Sequence, residues 1–279
     1  MSAALIFRGV LLSWLMVSAV TASAQTTRRY ENKLEEHVAE YVTRGECVDA
    51  LKLVRAGLAA NSPRAALLAG AMYEHGICLK PDWECAAAHY VIAHDGSEQA
   101  AAFRVAAGYA APSAGPDVAA ALWWMSQAEV GGGDTCAVEQ SERGDPDRFV
   151  AALQKWTPAK RAACNYWAGV MATIAGEAQY PWERRPLEPR TSLEPAGKVG
   201  VRFTPGLATV DIWTVGESGL LSAQRTAAEA LQLRASRKSQ FEKDVRVLAD
   251  RALARYPQPP GITPTWFYDL GITYASGFY

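Results

Sequence analysis

The chain has 279 residues, 49% of them hydrophobic, and a formal net charge of −1. A chain of this length forms one or two domains. Its balanced charge lacks the basic excess that marks nucleic-acid-binding proteins, so we expect no nucleic-acid partner.

The first 24 residues have the pattern of a secretory signal peptide. Arg8 precedes a short apolar run, and small residues close the segment at Ala22-Ser23-Ala24. An uncleaved anchor is the alternative, but the run is shorter than the roughly 20 apolar residues that a spanning helix needs. We expect cleavage after Ala24, no membrane span in the rest of the chain, and a periplasmic location, where disulfides form.

Residues 25–177 predict a series of short helices. The sequence from Tyr30 is rich in alanine and is interrupted by Gly, Pro or Asp every 12 to 18 residues. Asp117 follows Asp82 by 35 residues, and each comes after a proline and before an alanine-rich segment. Because an aspartate in this place can cap a helix, the two pairs predict the starts of equivalent helices. Such a period is typical of helical hairpins that stack on their neighbours.

The segment "ALLAGAMYEHGICLKPDWECAAAHYVIAHDGSEQA" resembles the SEL-one-like repeat, a relative of the tetratricopeptide repeat. The segment "AAFRVAAGYAAPSAGPDVAAALWWMSQAEVGGG" is similar, although Ala110-Ala111-Pro112 stands where the family has Glu and Gly. The resemblance implies an α-helical solenoid of α-α hairpins that binds other proteins. Asp145-Pro146 to Leu153 and Pro158 to Gly176 predict a terminal helix pair that caps the stack.

Residues 178–197 predict an extended Pro-rich linker, because the stretch contains "YPWERRPLEPRTSLEPAG". Residues 198–279 then predict a small α+β domain. The segments "KVGVRF" and "LATVDIWTV" flank Thr204-Pro205-Gly206, a turn signal, and predict a β-hairpin. Leu220 to Arg255 predicts two helices, and "TWFYDLGITYASGFY" a final strand. The whole fold class is therefore mostly α, a helical-repeat solenoid followed by a β-β-α-α-β domain.

The C-terminal order and the segments "VGVRFT", "VDIWTVGESG", "YPQPPG" and "FYDLGITYASG" resemble the TonB C-terminal domain family. Two departures stand out. Gln240 to Arg255 adds a helix that the family usually lacks, and Met1 to Ala24 lacks the anchor histidine of a working energy transducer. The resemblance implies the fold and a protein-binding role. It also implies an edge strand, Thr265 to Gly277, to which an extended receptor segment could add.

The cysteines predict disulfides whose connectivity stays open. The five are Cys47, Cys78, Cys85, Cys136 and Cys164, and an odd number leaves at least one unpaired or joined to another chain. Cys78 can pair with Cys85 or with Cys47. In the chain-entropy model, the Cys78–Cys85 bond would stabilise the folded protein by about 2.5 kcal/mol and the Cys47–Cys78 bond by about 3.7 kcal/mol, which does not decide between them. Cys136 with Cys164 is the candidate for a second bond.

His75, Cys78, Cys85 and His89 form the alternative to a disulfide, because two thiolates and two imidazoles can complete a tetrahedral zinc site. An oxidising compartment favours the disulfide, and the repeat aligns His89 with Trp124, at a packing position. We therefore expect no metal and no cofactor. The C-x-x-C spacing of a redox pair is missing.

No set of catalytic residues emerges from the sequence. Gly216-Glu217-Ser218-Gly219 fails as a nucleophile elbow, because Leu220 stands where G-x-S-x-G needs its last glycine. The tryptophans at 83, 123 and 124 favour packing over a binding platform. Leu233 to Lys243, with four basic residues, favours a solvated helix face over an anion site.

These features together predict a non-enzymatic protein-interaction protein of the bacterial envelope, with one or more envelope proteins as partners. The alternative is a divergent TonB-type adaptor that contacts outer-membrane transport receptors. An enzyme acting on cell-wall or lactam substrates is the least supported reading, because no acid, base and nucleophile come together in the sequence.

Overall fold

The computed structural model describes residues 33–112, 115–128, 133–178, 196–218, 242–243, 245–262 and 268–274. The signal peptide, nearly all of the Pro-rich linker and the predicted helix after Leu220 lie outside these residues. The described helices are α1 (33–43), α2 (Cys47–Ala59), α3 (Pro63–His75), α4 (Trp83–Asp95), α5 (Gln99–Ala110), α6 (Val118–Gln127), α7 (Gly133–Cys136), α8 (Pro146–Gln154), α9 (Pro158–Ala178) and α10 (245–255). None of the described helices is long and apolar enough to cross a membrane.

The two hairpins α3–α4 and α5–α6 begin their second helices in the same way. The side chains of Asp82 and Asp117 each accept a hydrogen bond from the backbone N–H three residues further on, which caps the helix. Their own N–H groups donate to the carbonyls of Tyr73 and Tyr109, at 3.0 and 2.9 Å. The 35-residue period predicted from the sequence therefore corresponds to a repeated local structure at these positions.

Helix α5 lies at the centre of the helical part, in contact with α4, α6 and α9. Its alanines are buried on nearly every side, which lets the neighbouring helices approach closely. Gly108 shows how closely, since a Cβ atom there would lie 1.8 Å from the Trp83 ring. The terminal pair predicted after residue 145 is present as α8 and α9, and α9 packs along α5 and α6.

The C-terminal part forms a three-stranded antiparallel sheet in the order β2-β1-β3 within the described residues. Its strands are β1 (Ala196–Thr204), β2 (Thr209–Ser218) and β3 (Tyr268–Tyr274). The predicted hairpin is confirmed, with the single turn Pro205–Leu207 between its strands. Strand β3 pairs with β1 and lies at an edge of the sheet. The chain is thus mostly helical with a small sheet, as the sequence predicts at that level.

The sheet and α10 share one hydrophobic core with α5, α6 and α9. Phe203 of β1 is fully buried and meets the Tyr166 ring of α9 edge to face, at a centroid distance of 5.3 Å. Tyr256, just after α10, packs on Gly169, where a Cβ atom would lie 2.5 Å from the ring. The helical and the α+β parts are therefore packed against each other, and the domain boundaries stay predictions.

Candidate functional site

The structure forms two disulfides from the five cysteine candidates. Cys47 pairs with Cys78 and Cys136 pairs with Cys164, with Cα atoms 5.2 and 5.5 Å apart. Both Cα distances lie in the range usual for disulfides. Cys85 is exposed and unpaired. For Cys78, the connectivity that the sequence left open is thus Cys47–Cys78, a link between the start of α2 and the turn after α3. The candidate pair Cys136–Cys164 is also bonded.

Three of the four residues of the zinc alternative are engaged elsewhere, and the fourth, Cys85, is exposed and unpaired. Cys78 is bonded to Cys47, His75 Nε2 contacts Arg104, and the His89 ring stacks on Tyr73 at 5.7 Å between centroids. Within the described residues, no three or more His, Cys, Asp or Glu side chains are grouped so that they could hold a metal ion. The spacing in sequence therefore does not become a coordination geometry.

The remaining sequence candidates also take up packing positions or fall outside the described residues. Trp83, Trp123 and Trp124 make edge-to-face contacts with Tyr109, Phe149 and His94, at 5.3 to 6.0 Å. Ser218 ends β2, and the glycine that follows it lies outside the described residues. Of the basic segment 233–243, only 242–243 are described.

A buried cluster of charged residues joins the helical part to α10. Arg104 of α5 lies between two carboxylates, with Nε 3.3 Å from Glu74 and Nη1 3.2 Å from Glu177. The exposed fractions of these side chains are only 1, 8 and 3%. We call these residues, with His75, Arg251 and Arg255, the Arg104 cluster. Its carboxylates come from α3 and α9, so the cluster connects the α3–α4 hairpin to the end of α9.

Two arginines near the end of α10 complete the cluster. Arg251 donates to Glu177 at 3.1 Å, and Arg255 lies 3.9 Å from Glu74. The Tyr90 hydroxyl donates a 2.7 Å hydrogen bond to Glu74 and accepts one from Arg104 at 3.3 Å. Buried charges need partners of this kind, because an ion removed from water without compensation is strongly destabilising.

The environment of the cluster lowers two pKa values. Burial acts to raise the pKa of Glu74, but Arg104, His75, the Tyr90 hydrogen bond and Arg255 outweigh it, and the net shift is downward. Burial and the nearby Arg104 charge lower the pKa of His75. The folded protein therefore favours an ionised Glu74 and a neutral His75, which can accept a hydrogen bond from the guanidinium.

Acidification is expected to destabilise the protein through these two groups. A group that binds protons more weakly when folded than when unfolded makes stability fall as pH falls. His75 should contribute as pH drops below its ordinary pKa of 6.5, and Glu74 below 4.5. Urea unfolding is measured between pH 7.5 and 4, with the disulfides intact. The free energy of unfolding should decrease first as His75 is protonated and then, below pH 4.5, as Glu74 is protonated.

The variant His75→Gln should reduce the loss of stability between pH 7 and 5.5, because glutamine keeps an acceptor and does not titrate. His37→Gln is the matched control, since His37 is exposed on α1, and it should preserve the loss. Equal pH dependence in the two variants would contradict the role assigned to His75.

A groove of about 410 Å³ opens where three parts of the chain meet. They are the end of α5 with the α5–α6 connection, the start of α9, and the segment after α10. We call it the proline groove, because five of its lining residues are prolines, at positions 112, 116, 158, 257 and 259. The Tyr166 and Tyr256 side chains add aromatic walls, and Arg161 is the one charged residue among the residues that line it.

Neither the Arg104 cluster nor the proline groove was predicted from the sequence. A signal for the cluster was present, because Arg104 and Glu177 are lone charges in the alanine-rich segments "QAAAFRVAAGYA" and "ATIAGEA". A charge on a helix that is apolar all round must find a buried partner. The groove had no local signal, since its prolines come from three separate parts of the chain.

Comparison of the chain with protein-family models, with curated proteins and with solved structures finds no match. The resemblances to SEL-one-like repeats and to the TonB C-terminal domain therefore stay predictions from the sequence.

Proposed function

We propose that the chain is an exported, non-enzymatic protein-interaction protein of the bacterial envelope, an adaptor built on SEL-one-like helical repeats. The two disulfides support export, because they form in oxidising compartments. The repeated Asp-capped hairpins support the solenoid description, since stacked hairpins of this kind bury one shared core and leave an extended surface.

The observation that carries this proposal is that the buried carboxylates are paired with arginines. Catalytic acids and bases face a cavity that substrate can enter. Here Glu74 and Glu177 are instead paired with arginines inside the helix layer. The proline groove, in contrast, has apolar walls and one cation. This arrangement favours binding over chemistry.

Photo-crosslinking of the full exported chain in the envelope tests the proposal. A photoreactive amino acid would replace, one at a time, the exposed apolar residues Val48, Ile92, Val150, Leu207 and Val247, and also Pro116 at the groove. We expect a defined protein adduct from one group of neighbouring positions and none from the others. Absence of an adduct at every position, or the same diffuse set at all of them, would contradict an adaptor role.

A second candidate is the divergent TonB-type adaptor, favoured by the edge position of β3. An edge strand presents backbone N–H and C=O groups to which an extended segment can add. A photoreactive residue in place of Tyr274, at the end of β3, should then form an adduct with an outer-membrane transport receptor. An adduct with another class of protein, or none, would reject this candidate and leave the first proposal unaffected.

A further inference from the structure

The five prolines of the proline groove provide no backbone hydrogen-bond donors. Proline has no backbone N–H, and five prolines line the groove. The Tyr256 hydroxyl is already used, since it donates to the Ala107 carbonyl at 2.6 Å and accepts from Thr173 at 3.3 Å. Apolar and aromatic surface of this kind suits an apolar guest, and aromatic grooves are a common way to bind extended proline-containing segments.

Arg161 gives the groove a positive charge without a local counter-ion. The guanidinium has no ion pair or hydrogen bond among the described residues, and no carboxylate lines the groove. The first turn of α9 also lacks acidic residues. A guest with a carboxylate would therefore meet a charge-complementary group, which could form the strong charge-assisted hydrogen bonds typical of arginine.

Asn165 adds an unmet requirement for a donor. Its Nδ2 donates to the Ala110 carbonyl at 3.2 Å, which fixes the orientation of the amide because that carbonyl can only accept. Its Oδ1 is buried and has no hydrogen-bond partner among the described residues. A buried acceptor of this kind is destabilising unless it is paired. A guest N–H that enters the groove beside Asn165 would pair it.

We propose that the proline groove binds an extended peptide segment of a partner protein that carries a carboxylate next to proline or another apolar residue. The backbone N–H of the peptide pairs with Asn165, the carboxylate with Arg161, and the apolar residue lies between the prolines and Tyr166. This assignment rests on the proposed protein-binding function and names the site and the chemistry of the segment that it binds. The volume suits a few residues of a guest, and it lies within the range of ligand pockets.

A display library of random dodecapeptides, selected against the immobilised full-length exported protein, tests the assignment. We expect the enriched peptides to share an Asp or Glu adjacent to proline or another apolar residue. The affinity of one enriched peptide is then measured by fluorescence polarisation. Arg161→Met should weaken it about tenfold or more, since hydrogen bonds to charged groups are among the strong ones. An unfolding midpoint equal to that of the unmodified protein would show that the Arg161→Met variant still folds.

Lys160→Met is the matched control. Lys160 is the neighbouring cation, but it lies over the Trp156 ring at 3.8 Å and does not line the groove. Its loss should change the affinity less than about twofold, as expected for a charge outside the contact. Arg161→Glu should reject the acidic peptide and accept a version in which lysine replaces the carboxylate residue.

Three results would overturn the assignment. They are enrichment of no peptide, enrichment of peptides without a carboxylate, and equal weakening by Lys160→Met and Arg161→Met. Dimerisation that Arg161→Met abolishes, with no peptide enriched, would assign the groove to a second copy of the chain. If the peptide selection fails but photo-crosslinking in the envelope gives a defined adduct, the assignment of the groove is wrong and the adaptor function is unaffected. Enriched acidic peptides without any cellular adduct would instead count against that function.

Discussion

Replacing Arg104 with methionine is expected to destabilise the protein by about 3–5 kcal/mol, the usual consequence of removing one partner from a buried ion pair. Methionine keeps an unbranched side chain in place of the aliphatic part of the arginine and removes the guanidinium. It leaves Glu74 and Glu177 buried, however, without the guanidinium that lies between them, although Arg251 and Arg255 still contact one carboxylate each. Chemical denaturation followed by circular dichroism measures the free energy of unfolding.

Arg148→Met is the matched control for this prediction. Arg148 is 71% exposed and lies 4.0 Å from Asp145, so its loss should cost less than about 1 kcal/mol, as for surface pairs in general. Adding Glu177→Gln to Arg104→Met should cause less further loss than Glu177→Gln causes alone, because the uncompensated charge is then gone. A loss for Arg104→Met no larger than the control would show that Arg104 is not the centre of the cluster.

Removing the Cys136–Cys164 disulfide by the double change Cys136→Ser and Cys164→Ser is expected to destabilise the protein by about 3.6 kcal/mol. The bond closes a chain segment with a sequence separation of 28, and its loss lets the unfolded chain explore more conformations. The Cys47–Cys78 bond, with a separation of 31, should have nearly the same effect, about 3.7 kcal/mol. Denaturation under non-reducing conditions provides the measurement.

Cys85→Ser is the control for both disulfides, because Cys85 is exposed and unpaired. The free energy of unfolding should change by less than about 0.5 kcal/mol, as for most surface substitutions. Peptide mapping of the non-reduced protein should recover the Cys47 peptide joined to the Cys78 peptide. A Cys78–Cys85 peptide, or a large loss of stability in Cys85→Ser, would show that the connectivity is wrong.

The local signals of the sequence predicted much of the helical part. Pro81-Asp82 and Pro116-Asp117 predicted helix starts, and both aspartates cap helices. Asp145-Pro146 does the same for α8. These predictions succeed because a cap depends on a side chain and a backbone N–H only three residues apart. The hairpin β1–β2 succeeds for the same reason, since its turn residues determine the connection.

Contacts between distant residues could not be predicted in this way. The choice between Cys47 and Cys85 as the partner of Cys78 depends on how α2 packs against the first hairpin, and chain entropy does not decide it. The Arg104 cluster brings together Glu74, Arg104, Glu177 and Arg255, which are separated by dozens of residues in the chain. Their alignment depends on the positions of four helices, which no local pattern fixes.

The sequence by itself determined the helix caps, the 35-residue period, the hairpin and the supply of cysteines, because each depends on groups close together along the chain. Only the tertiary structure decided which cysteines pair, how the buried charges compensate one another, and where the proline groove lies. The physical reason is the same for all three. Burial and charge compensation are properties of surfaces that meet in space, and α5, α9 and α10 come together only in the packed core.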